Sequence, residues 1–149
     1  MATFANISDV LEYEPDIQNF GIFDFDGALS KAQADVERYL RIHWFPTQQI
    51  GRDDITIIGY HSEMNPDLLT PSQLTRSTVF CALAYYIYPS LSKFEPDLDV
   101  FQVKMEYYKS RYQEEIQAVI LDGVEYDLNS DGSVQNSEKE PSYFLRLQR

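Results

Sequence analysis

Seven prolines and six glycines cut this chain into short segments, and in three of them the apolar residues return at three- and four-residue steps. That period puts them on one face of an α-helix, so helices rather than strands are the expected elements. The first such segment runs from about Asp26 to Trp44, with Leu29, Ala32, Val36, Tyr39, Leu40 and His43 on the stripe and Lys31, Asp35, Glu37, Arg38 and Arg41 between them; Pro46 stops it. The second opens at Thr70–Pro71, because proline's missing N–H costs nothing at the first helical position. Its run Val79–Tyr88 is apolar nearly all round, which predicts a central buried helix ending near Pro89 or Ser92. The third, Asp97–Leu121, sets Val100, Val103, Tyr107, Tyr108, Tyr112, Ile116, Val119 and Ile120 on one broad stripe, with Gly123 as its C-terminal stop.

Shorter elements surround these three. Ser8 or Asn6 can cap a first helix through Tyr13, ended by Pro15. Phe45–Thr70, broken by Pro46, Gly51, Gly59 and Pro66, reads as a long loop holding a short strand at Ile55–Ile58. From Asp127 to Pro141 the chain is polar, a surface loop, and it closes with a tail, Ser142–Arg149. The expected fold class is mainly α: a small helical bundle with long loops and an extended C-terminal tail. Its divisions would be a helical domain 1–123, a polar loop 124–141 and a tail 142–149.

A chain of 149 residues is long enough for one domain with a real core. Its 44% hydrophobic and 24% charged residues are ordinary for a globular protein and exclude disordered and collagen-like classes. Twenty-four acids against twelve bases give a formal charge of −12, which opposes adhesion to nucleic acid or to anionic membranes. The first thirty residues carry Asp9, Glu12, Glu14, Asp16, Asp24 and Asp26 before the first base, Lys31. Pro141–Arg149 reverses this, with Arg146 and Arg149 and no acid. The eleven tyrosines suit interfaces as well as cores, since each has a rigid apolar body and a polar tip. Cys81 lies among apolar residues and reads as a small core residue in a reducing compartment. No apolar run is long enough to span a membrane, and Met1–Val10 lacks the signal-peptide pattern, so folding in a cytoplasm is expected.

One local motif is complete. Asp127–Leu–Asn129–Ser–Asp131–Gly132–Ser133–Val–Gln135–Asn–Ser–Glu138 follows the calcium-loop pattern of the EF-hand. Calcium takes six to eight oxygens, and alternating oxygen-bearing side chains around a glycine turn, closed by a distant carboxylate, supply them. Asp127, Asn129, Asp131 and Glu138 would coordinate by side chain, Ser133 by its carbonyl, and Gln135 directly or through water. The flanking Gly123 and Pro141 are unlike a paired sensor hand, so a loop-bracing structural site is expected, with a polar Asp-Gly/Asn-rich surface turn that holds no metal as the alternative.

A second motif is partial. Gly21–Ile22–Phe23–Asp24–Phe25–Asp26–Gly27–Ala28–Leu29 resembles the first motif of the haloacid-dehalogenase phosphatases. The resemblance would make Asp24 the nucleophile and Asp26 the acid/base beside Mg²⁺. Ala28 stands where that family usually has threonine, Ile22–Phe23 is short for a buried strand, and no later lysine and acidic pair follow in βα order. Acids opening a helix, where its dipole favours negative charge, explain the same residues. Glycine-rich phosphate loops and serine nucleophile elbows do not occur. His43 sits alone at a core edge without zinc-spaced companions, and His61 falls in the long loop.

Three stretches together are similar to phage head-to-tail connector, or adaptor, proteins: Ala32–Gln–Ala–Asp35–Val36–Glu37–Arg38–Tyr39–Leu40–Arg41–Ile42, then Asn65–Pro66–Asp67–Leu68–Leu69–Thr70–Pro71–Ser72–Gln73–Leu74–Thr75–Arg76, then Ala82–Leu83–Ala84–Tyr85–Tyr86–Ile87–Tyr88. The likeness covers most of Ser8–Gly123 and lies in order and spacing. It implies a virion structural protein rather than an enzyme, made in the host cytoplasm and placed in the particle's neck. Copies would form a ring, commonly a dodecamer, between the portal protein and a tail-side connector or tail protein. A C-terminal segment, here Tyr143, Phe144, Leu145, Arg146, Leu147 and Arg149, would dock into the portal. Double-stranded DNA would pass through without sequence-specific binding, and lumen-facing carboxylates would keep its phosphates from sticking. Arg76, Lys93, Lys104, Lys109 and Arg111 are available to pair with acids of neighbouring copies.

Overall fold

Every regular element among the described residues is a helix or a helical turn, and one isolated antiparallel bridge, Leu69–Tyr126, is the only strand-like pairing they contain. The computed structural model describes residues 2–45, 63–94, 96–97 and 99–139. The expected strand at Ile55–Ile58, most of the long loop and the tail from Ser142 lie outside them.

Helix α1, Ile7–Tyr13, begins at Asn6, whose side chain accepts from the Ser8 and Asp9 N–H groups while the Asp9 carboxylate accepts from Asn6 N–H. This reciprocal pair satisfies donors that a helix start leaves open, which selects Asn6 over Ser8 as the cap. A 3-10 turn, Ile17–Phe20, leads to α2, Asp26–His43. Leu29, Ala32, Val36 and Leu40 of α2 are buried. His43, expected at the core edge, is exposed: it lies one turn past Leu40 but off the buried line, with its ring 4.3 Å from that of Tyr39.

Helix α3, Pro71–Ala82, starts with Pro71 in the first turn, continues through a π turn, Leu83–Ile87, and ends as α4, Tyr88–Leu91. The π turn ends two residues before Pro89, whose ring and missing N–H do not fit an uninterrupted α ladder. Burial is nearly all round here, from Leu74 and Ser77–Ala84 to Ile87 and Tyr88. That is the central helix the apolar run implied, and α3 packs against both α2 and the long helix α5, Val100–Asp122. Each fully buried leucine or isoleucine in this core contributes about 1.5–3 kcal/mol.

Asp99 and Gln102 form a second capping box at the start of α5. The broad stripe read along this helix divides into two. Tyr108, Tyr112, Ile116 and Val119 are buried, with Phe101 and Met105 half-buried in line with them. Val100, Val103 and Tyr107 are 68%, 58% and 57% exposed. Consecutive residues sit about 100° apart on a helix, so Tyr107 and Tyr108 face different ways although both keep helical spacing. Glu14 sets the rotation: its carboxylate accepts from Lys104 Nζ at 2.7 Å and from the Tyr108 hydroxyl at 2.7 Å. Burial alone would raise the Glu14 carboxyl, but these hydrogen bonds outweigh it and hold the group below its ordinary range.

Candidate functional site

The polar loop is built onto the core rather than hung from it. Val124 and Tyr126, expected outside the helical domain, are buried, and Trp44, Phe45 and Tyr126 pack as an aromatic group with centroids 5.7–6.0 Å apart. Thr70 N–H donates to Glu125 O at 3.1 Å and Asp127 N–H to Leu68 O at 2.9 Å, which forms the bridge. Gln73 clamps the same stretch twice, donating from Nε2 to Gly123 O and accepting at Oε1 from Glu125 N–H, each at 2.8 Å. Alternating apolar residues in a short segment were the available signal that 124–126 belongs inside; the polar composition that follows it masked that signal.

Gly123 closes α5 at φ +108°, a conformation L side chains rarely adopt. A Cβ there would stand 1.9 Å from the carbonyl oxygen of Lys139. The short helix α6, Asn136–Lys139, is thereby brought back against the end of α5, and Lys139 Nζ meets Glu125 Oε1 at 2.6 Å. Sequence spacing identified Gly123 as a helix stop; its second use, admitting a backbone from sixteen residues later, needed the tertiary contact.

Between these anchors the expected calcium residues share one loop. The Asp127 carboxylate accepts from Asp131 N–H at 3.1 Å and Gly132 N–H at 2.8 Å. Asp131 accepts from both the N–H and the hydroxyl of Ser133 at 2.9 Å, and Asn129 Nδ2 donates to Asp131 Oδ2 at 2.9 Å. The Ser133 contacts hold the Asp131 carboxyl below its ordinary range. Gln135 Nε2 reaches Asp131 Oδ2 at 3.4 Å. Glu138, a buried acid, accepts from Leu128 and Asn129 N–H with Oε1 and from Gln135 N–H with Oε2. The donors are all oxygen, the set a hard cation takes. Their present geometry turns them onto the loop's own amides, and among the described residues no three His, Cys, Asp or Glu side chains gather as a metal-holding group. A bidentate hold by Glu138 on a cation would exchange its N–H contacts for metal contacts.

Asp24 and Asp26 stand at the start of α2. Asp24 Oδ1 accepts from Asp26 N–H at 2.9 Å, a local Asx turn leading into the helix. Phe23, which a phosphatase strand would bury, is 73% exposed, and the described residues bring no sheet to these acids. Cys81 is buried on α3, and burial pushes its thiol up to about 12. The tail residues Tyr143–Arg149 lie outside the described residues.

Of the bases expected to meet neighbouring copies, three pair within the chain: Lys104 with Glu14 at 2.7 Å, Arg111 with Glu114 at 3.2 Å and Arg76 with Glu115 at 3.8 Å. Their acids lie one helical turn or one packed segment away, and spacing alone does not reveal the pairs that cross between segments. Comparison with protein-family models, with curated proteins and with solved structures found no match to this chain.

Proposed function

We propose that the chain is a structural subunit of the neck of a tailed bacteriophage, a head-to-tail adaptor, and not an enzyme. Copies would form a ring, dodecameric by the resemblance, between the portal and a tail-side protein, with DNA passing through. The observation that carries this reading is the apolar row Val100–Val103–Tyr107, three contiguous large side chains more than half exposed on the longest described helix. Apolar patches of this kind mark surfaces that another protein covers. The likeness in order and spacing over Ser8–Gly123 supports the same reading, as does the helical bundle it implies. The acid-free tail, with Tyr143, Phe144, Leu145, Arg146, Leu147 and Arg149, would enter the portal.

Calcium has a bracing role in this proposal. Held by Asp127, Asn129, Asp131, Ser133, Gln135 and Glu138, it would fix the point from which the tail departs. Titration calorimetry should then show calcium binding that Asp127→Asn removes; heats equal for both proteins would remove the metal from the reading and leave the adaptor.

The decisive experiment is electron microscopy of the purified chain, alone and mixed with the portal of the same phage. Rings, and rings seated on portals, are expected, and a chain ending at Pro141 should lose the seating. A protein that neither assembles nor binds portal would overturn the reading.

A further inference from the structure

We draw no further inference here: the strongest candidate, the groove walled by Tyr39 of α2, Tyr85 and Tyr86 of the π turn and Tyr112 of α5, is a surface for which nothing in the structure shows what covers it.

Discussion

The two faces of α5 are made of similar residues and live in opposite surroundings. Tyr108, Tyr112, Ile116 and Val119 are packed under α3, while Val100, Val103 and Tyr107 stand in solvent. Helical spacing reports that a residue can share a face with its neighbours three and four positions away; it does not report what covers that face. The core face is held by contacts inside the chain, the Glu14 hydrogen bonds at one end and the Gly123 approach at the other. Among the described residues nothing of this kind fastens the outer row, and the proposed adaptor reading leaves it for another molecule.

Substitutions should separate the two faces sharply. Ile116→Ala, on the covered face, should cost about 2–5 kcal/mol in urea unfolding, because a fully buried side chain leaves a cavity behind. A loss under about 1 kcal/mol would mean that α5 does not pack as described. Gly123→Ala should follow at about 1–3 kcal/mol. The added methyl forces the Lys139 carbonyl away, and the resulting movement of Tyr126 against Trp44 should shift Trp44 fluorescence.

Glu14→Gln should cost about 1–3 kcal/mol at neutral pH, the size of hydrogen bonds to a charged group, less where solvent reaches Lys104. The sign of its pH dependence follows from the depressed carboxyl. Its stabilisation is present above the ordinary value of 4.5 and is lost as pH falls through the lower folded-state value. Thermal melts from pH 6 downward should therefore fall less steeply for Glu14→Gln than for the unsubstituted chain in the acid range. Parallel curves would detach Glu14 from the rotation of α5. The smallest effect belongs to the outer row: Val103→Ala should change the stability of the isolated subunit by no more than about 0.5 kcal/mol. A larger loss would show that the row is already covered within one chain.

Much of this molecule was legible before folding was considered. Proline and glycine positions, capping residues and apolar steps located α1, α2, α3 and α5 to within a few residues, because those signals act through the nearest turn of backbone. Pro71 opens α3 in its first turn, where its missing N–H costs nothing, and Gly123 ends α5 through a positive φ that its missing side chain allows. The residues of the twelve-position pattern share one hydrogen-bonded loop from Asp127 to Glu138.

Other features were decided only when distant segments met. Tyr108 faces the core and Tyr107 faces away, and Glu14, ninety-four positions before Tyr108, accepts from the Tyr108 hydroxyl. Val124 and Tyr126 became core residues because Gln73 and Leu68 supply the hydrogen bonds their backbone neighbours need. Lys104 and Arg76 found acids on other turns and helices that sequence distance hides. Period and capping are properties of one helix, fixed by its own residues; burial and pairing are properties of two segments, fixed only when the chain has closed on itself.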